Sequence, residues 1–369
     1  DGAWENATEQ DFTSGFKPGC EAKTIAPYAL GGTILTPQGP QAGYVVVRNE
    51  KIEKIAKTKA EIPADVKNVV DTKGIISPGM IDLHNHVAYN FLPLWKSGKR
   101  FNNRYQWARL SSYDTVKAPY NAVKNAKHQC EGTKYGEYRA IVGGTTTIQG
   151  SVDSACLRSW VRNVEFVNFC EDHVRQNVLP INGIKPEDAK LLNDQFAKGT
   201  TKVFFVHLAE GTDDLSRSEV EDLRKLDLLK PQTVGIHSTA LNDAQLQEMG
   251  RIGMKIVWSP FSNLMLYGKT TNIPVAIQAG VKVSLAPDWT PSGSSNLLGE
   301  LKVADRVNQT LFGGVITDQQ LWEMATKNPA RIAAMSDQLG EIAPGRFADL
   351  MVVRGDATKP YRAIINARP

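Results

Sequence analysis

Between residues 24 and 75 the apolar positions come in short alternating runs, ALGGTILTP, GYVVVRNEKIEKIA and VKNVVDTKG, each bounded by turn residues. Alternation with period two sends one face of each run to a core and the other to water, which predicts a β meander with Arg48, Asn49 and Glu50 as one turn. So few strands cannot bury enough surface to stand alone. The predicted partner lies at the far end, where GEIAPGRFADLMVVRGD again reads as turn then strand. Segments 24–75 and 339–369 are therefore expected to form one small β-sandwich domain, with YRAIIN as a further strand and a last strand or two falling beyond Pro369. Residues 1–23 are polar and rich in turn formers, an irregular arm whose start at Asp1, without methionine, fits a processed or trimmed chain.

Residues 76–338 follow another rhythm, in which compact apolar runs alternate with amphipathic stretches. IISPGMIDLHNH, GTTTIQGS, VEFVNF, NVLPINGI, KVFFVHLAE, TVGIHS, KIVWSP and VKVSLAPD read as strands, and DAQLQEMGRIG and VAIQAG as helices between them. Eight strands separated by helices predict an α/β fold, a (β/α)8 TIM barrel.

Composition narrows the function only by exclusion. Hydrophobic residues at 41% and charged residues at 22% are ordinary for a globular protein. The net charge of +4 is spread along the chain, with no basic block suited to nucleic acid or an anionic membrane. No run approaches the roughly 20 apolar residues of a membrane span. The expected partner is a small-molecule substrate, with neither nucleic acid nor membrane, and a homo-oligomer left open. Cys20, Cys130, Cys156 and Cys170 lack metal-type spacing. They read either as disulfides, which favours a secreted or periplasmic setting over the cytoplasm, or as buried thiols.

The chemistry begins at GMIDLHNHVAYN, where His84 and His86, two apart on a strand, would face the same side. His207, His237 and Asp288 fall at the ends of other predicted strands. In a barrel these ends converge on one mouth. Three imidazoles and a carboxylate form a normal ligand set for zinc or another divalent transition ion. His128 and His173 fall in helix-like stretches and read as surface or core residues.

ISPGMIDLHNH, HLAE, GIHSTAL, SPFSNLMLYG, APDWTPSGSSNLLGEL and NPARIAAMSDQLGEIAPGRFADLMVV together cover nearly everything after Tyr28. Through them the chain resembles the amidohydrolase superfamily, and within it the branch of chlorohydrolases and aminohydrolases that act on nitrogen heterocycles. The resemblance implies that His84, His86, His207 and Asp288 bind one divalent metal, zinc foremost, with iron or manganese as alternatives. It also implies that His237 contacts the attacking water or the substrate and that Glu210 shuttles protons; on chemical grounds Asp288 can orient the water and accept its proton. A metal with mostly neutral ligands brings a bound water to a pKa of about 7, which suits these roles.

Glu210 separates reactions, because an amine or ammonia leaves only after its nitrogen is protonated, whereas chloride leaves without a proton. The expected activity is hydrolytic deamination of an amino-substituted heterocycle; amide, carbamate or carbon–halogen hydrolysis at the same site is the alternative. A non-catalytic barrel scaffold is the rival of another class, and it predicts missing ligands. For Glu210 to reach the mouth, the strand should end at His207, with Leu208 and Ala209 turning the chain.

Members with two metals carry a bridging lysine at the end of the fourth strand. Lys185 stands near that place, but Pro186, Glu187 and Asp188 mark it as a helix start, so one metal is expected. Ala286-Pro287 replaces the Gly-Thr often found before the last ligand, which puts the local strand geometry in question. The segment YNFLPLWKSGKRFNNRYQW reads as a lid carrying Tyr89, Trp95, Arg104 and Trp107. Tyr89, Trp107, Asn263 and Trp289 are the expected substrate contacts.

Overall fold

The strands are β1 (Tyr28–Thr36), β2 (Gly39–Arg48), β3 (Lys51–Ala56), β4 (Asn68–Pro78), β5 (Met80–Asp82), β6 (Thr145–Ile148), β7 (Arg162–Asn163), β8 (Val174–Asn177), β9 (Val203–Leu208), β10 (Thr233–His237), β11 (Lys255–Trp258), β12 (Lys282–Leu285) and β13 (Leu350–Val353). They belong to a computed structural model that describes residues 24–150, 156, 160–165, 172–178 and 180–369. The N-terminal arm lies outside these residues.

The alternating runs of the two ends meet in one mixed sheet of order β13-β4-β1-β2-β3. β1 runs antiparallel to β2 and parallel to β4, and β13 closes the edge antiparallel to β4, pairing Ile75 with Val353 and Pro78 with Leu350. The hairpin between β2 and β3 turns on Asn49 and Glu50, both left-handed at φ 50° and 64°, the conformation a two-residue turn needs to match strand twist. On one face Ile34, Val45, Val47, Ile52 and Ile76 pack with Ile342 from the C-terminal segment. On the other lie Ala29, Val46, Ala56 and Val66.

The remaining strands form two parallel sheets, β12-β11-β10-β9-β8 and β5-β6-β7. Every residue of β9 and β10 is buried, as expected of strands covered on both faces. Helices 186–198, 214–225 and 243–252 bury Leu192, Phe196, Val220, Leu223, Leu246 and Met249 in the core between helices and sheet. Helix 243–252 shows how sequence sets such an element: Asn242 and Gln245 form a reciprocal capping box at its start, and Gly253 ends it in the left-handed conformation at φ 86°.

The run IISPGMIDLHNH belongs to two sheets. It pairs with β13 up to Pro78, then with β6 from Met80 onward. Gly79 permits the change, because a Cβ there would sit 2.3 Å from Thr146 Oγ1. The ends of β5 and β12 are also joined: Asn85 and Asp288 form a parallel bridge, His86 N–H donates to Asp288 O at 2.9 Å, and Asp288 N–H donates to His84 O at 3.2 Å.

Several expectations change. YRAIIN is not a strand; Pro360 opens a helix at 360–366 that buries Ile364 and Ile365, and Tyr361 meets Trp322 at 5.1 Å. NVLPINGI is not a strand either: β8 ends at Asn177, and a 3-10 turn follows Pro180. Much of VEFVNF lies outside the described residues. His173 precedes β8 rather than sitting in a helix. Cys130 and Cys156 are disulfide-bonded, while Cys20 and Cys170 fall outside the described residues. Among the described residues no helix is long and apolar enough to cross a membrane.

Candidate active site

The parallel ladder sets the heights of the site residues. Ile236 is in register with His207 and Val257 with Ser284, so His207 and His237 emerge at the carboxyl ends of neighbouring strands. β9 runs one residue past His207, through Leu208, and the turn falls on Ala209 at φ 52°. His237, Ser238 and Asp288 are also left-handed, at φ 65°, 55° and 67°. Each such conformation in a residue other than glycine costs on the order of 1–3 kcal/mol and must be held by its surroundings. Here Thr271 Oγ1 donates to His237 O at 2.6 Å and Ser238 N–H to Leu208 O at 2.9 Å. Asp288 is held by its two backbone bonds to the segment after β5. Pro287 lies beyond the last residue of β12, where its missing donor breaks no ladder bond.

Four imidazoles and one carboxylate meet at this rim. The His84 ring centre lies 5.0 Å from that of His86, 4.8 Å from His207 and 5.3 Å from His237. Asp288 Oδ1 is 3.2 Å from His84 Nε2 and 3.5 Å from His86 Nε2. Two sets, His84 with His207 and His237, and His84 with His86 and Asp288, offer ligand atoms within 4.8 Å of one another. His84 Nε2 and His207 Nδ1 are buried and make no hydrogen bond, the former despite its nearness to Asp288. A buried polar nitrogen left without a partner is costly. A divalent ion accepting both lone pairs removes that cost, so the donors fit a metal.

Their protonation agrees. Burial pushes His207 well below the usual imidazole range, lowers His237, and takes His86 down to about 4. For Asp288 burial acts upward, but the contact with His84 and the neighbouring imidazoles hold it well below the usual carboxylate range. Neutral imidazoles beside an ionised carboxylate are the states in which these groups bind metal.

An outer layer orients the rim. Asp82 accepts His84 N–H at 3.1 Å and Asn85 Nδ2 at 2.6 Å. Ser262 Oγ donates to Asp288 Oδ2 at 2.8 Å, and Asn263 Oδ1 meets His237 Nδ1 at 3.1 Å. Glu300, pushed up to about 7 by burial, accepts Phe261 N–H at 2.8 Å and so fixes the turn that carries Ser262 and Asn263. Glu210 is only 3% exposed; its Oε2 lies 3.9 Å from His237 Nε2 and 3.5 Å from Arg104 Nε, while Tyr267 OH donates to Oε1 at 2.7 Å.

The expected substrate contacts divide. The Trp289 ring lies 5.9 Å and the Tyr89 ring 6.4 Å from that of His86, so these two stand beside the histidine cluster. Asn263 braces His237 from below, and Trp107 reaches Glu210 only through Tyr267. Trp95 packs on Phe101, away from the imidazoles. Lys185 is exposed at the start of helix 186–198, His128 is exposed, and His173 is buried with Nε2 2.9 Å from Ala333 O. Tyr267, Ser262 and Asp82 join the site without a counterpart among the residues expected from the sequence. Tyr267 had a usable signal: it stands four residues after Asn263 in helix 260–267, hence on the same face.

A family model, Amidohydrolase family, matches residues 197–368. The chain is 23% identical over 360 residues to the 5'-deoxyadenosine deaminase of Methanothermobacter thermautotrophicus, covering 88% of this chain and 83% of that protein. It is 26% identical over 370 aligned positions to the 5-methylthioadenosine/S-adenosylhomocysteine deaminase of Thermococcus sibiricus, covering 87% and 83%. The crystal structure of a zinc-bound adenosine deaminase from Xanthomonas campestris superposes with a TM-score of 0.71 at 15% identity, covering 92% of this chain and 89% of that one. The match over residues 197–368 and the likeness to these deaminases relate the chain to the amidohydrolase family, whose α/β fold it shares.

Proposed function

We propose that the protein removes the amino group of an amino-substituted nitrogen heterocycle by hydrolysis, with a 6-aminopurine nucleoside as the first class to test. The observation that carries this reading is Glu210, a buried carboxyl group beside His237 on the rim that holds the metal-ligand cluster. The names of the two relatives, both deaminases of adenosine derivatives, point the same way.

In this reading His84, His86, His207 and Asp288 hold one zinc ion, with iron or manganese also suited to the donors. Bound there, the ion supplies Lewis acidity that lets a water lose a proton near neutral pH. Asp288 accepts that proton, and Ser262 at 2.8 Å keeps its other oxygen turned aside. His237, its Nδ1 engaged by Asn263, turns Nε2 toward the reacting water. Glu210 carries a proton to the amino nitrogen. The water oxygen stays on the ring carbon as a carbonyl, one of its protons ends on the ring nitrogen and the other on the departing group, and ammonia leaves as the carbon–nitrogen bond breaks. Tyr89 and Trp289 flank the ring.

One metal rather than two fits the end of β8, where Gln176 and Asn177 stand in place of a bridging lysine. The proposal also takes the parallel sheets as arcs of one (β/α)8 barrel over residues 76–338, supported by the bridge between Asn85 and Asp288. Segments 24–75 and 339–369 form the composite β domain, for which a sheet packed on both faces is the support. A scaffold without catalysis fits poorly, since no expected ligand is missing. The test is ammonia release from a panel of amino-heterocycles after metal analysis. Turnover of amides, carbamates or halides with no ammonia from any heterocycle would overturn the reading.

A further inference from the structure

The side chain that approaches Glu210 from above is held by a chain of hydrogen bonds whose directions are fixed. Trp107 Nε1 lies 2.7 Å from Tyr267 OH, and Tyr267 OH lies 2.7 Å from Glu210 Oε1. An indole N–H can only donate, so the phenolic oxygen is the acceptor in the first bond. The single phenolic hydrogen is then left for Glu210. Trp107, Tyr267 and Glu210 are 8%, 5% and 3% exposed, so bulk water does not compete for these bonds. Burial first, and then Glu210 itself, pushes Tyr267 well above the usual phenol range, so it keeps its hydrogen throughout the working pH range.

We infer that Tyr267 is a positioning residue that makes Glu210 regiospecific: with Oε1 capped by the phenol, the proton Glu210 carries resides on Oε2, the oxygen facing His237. The inference rests on the proton-carrying role proposed for Glu210. It also assigns a task to the short helix 104–107. That helix brings Trp107 to the phenol and Arg104 to within 3.5 Å of Oε2, and its own backbone is tied to the rim by Arg104 N–H donating to Glu210 O at 3.2 Å. Further ties run from Asn103 Nδ2 to Asp213 at 2.6 Å and from Tyr105 OH to Glu219 at 2.5 Å, and Glu219 also accepts Ala209 N–H at 2.6 Å. Residues 103–107 are thus bonded to the turn that presents Glu210.

The test uses the metal-loaded enzyme and ammonia release. Tyr267→Phe removes the hydrogen-bonding group and little else; kcat should fall about 10- to 100-fold with KM within about twofold and metal content unchanged, since the interaction serves proton transfer rather than substrate binding. Trp107→Phe should lower kcat by a smaller factor in the same direction, because the phenol keeps its hydrogen but loses the bond that directs it. In a Glu210→Gln background Tyr267→Phe should have no further effect, which a general structural role would not produce. Glu210→Gln without loss of activity would refute the proton-carrying role itself. If Glu210→Gln is dead but Tyr267→Phe keeps wild-type kcat, or if its defect adds in full to that of Glu210→Gln, the positioning role of Tyr267 is overturned and the proposed function stands.

Discussion

The two sides of the active site are held by different means. His84, His86 and Asp288 are tied chiefly through their backbone: the two segments bond to each other through Asn85 and Asp288, the Asp82 carboxylate accepts the N–H of His84, and Ser262 adds one side-chain bond to Asp288. The side chains of Glu210 and His237 are fixed by other side chains, namely Tyr267, Trp107, Arg104 and Asn263, contributed by helix 104–107 and by helix 260–267. Under the proposed function, the first arrangement would give a metal its fixed geometry without help from helix 104–107. The second would make the proposed proton-handling groups depend on that helix being in place.

This contrast can be broken in graded steps. His84→Ala strikes the backbone-held side at its centre, being shared by both ligand sets; ammonia release should fall to background with loss of metal measured by elemental analysis. Full metal occupancy in that variant would remove His84 from the ligand set. Glu210→Gln strikes the other side, and kcat should fall by about 10²- to 10⁴-fold, typical of a lost general acid, with metal retained. A joint loss of metal would show that the two sides are not separable. Ser262→Ala removes the bond to Asp288 Oδ2 together with the contact to Ser292 Oγ, and metal affinity measured by competition with a chelator should weaken about 10- to 100-fold.

The smallest effect concerns pH. Burial lowers His207, His237 and His86 below the ordinary value of 6.5, the last to about 4, so between these limits the unfolded chain binds more protons than the folded one. Stability therefore rises with pH through that window and is lost as pH falls from 6.5 toward 4. Asp288, held low in the folded state, acts in the same direction in acid. Thermal melts of metal-free protein from pH 7 down to pH 4 should show a falling Tm (on a pH scale set about the imidazole and carboxylate ranges). A flat profile would mean that the imidazoles are not buried neutral once the metal is removed.

How much of this could be read in the sequence followed from how local the signal was. The strands β9 to β12 and the residues at their ends were legible because a buried parallel strand is a compact apolar run, and the chemistry sits just past its end. The hairpin at Asn49 and Glu50 was legible for a similar reason. YRAIIN differs from its expected strand because six residues are too few to tell the two periods apart, and what decides for a helix is Pro360 together with packing on Trp322, which is 38 positions back from that proline in sequence. The clustering of His84, His86, His207, His237 and Asp288 was within reach of motif spacing. Tyr267, Ser262 and Asp82 were not singled out, because their partners come from distant segments: Tyr267 bonds a glutamate 57 residues away and a tryptophan 160 residues away.

The edge pairing of β4 with β13 has a consequence for how the chain is made. β4 leaves the ribosome by residue 78, but its partner begins only at residue 350. At 5 to 20 residues per second the gap lasts roughly 15 to 50 seconds. Throughout that interval the nascent terminal sheet exposes an unpaired edge of Ile75, Ile76 and Ser77, while the central strands are already being synthesised. Pairing at this edge therefore waits for residues 350–353, and quality control during synthesis has a defined, time-limited edge to protect.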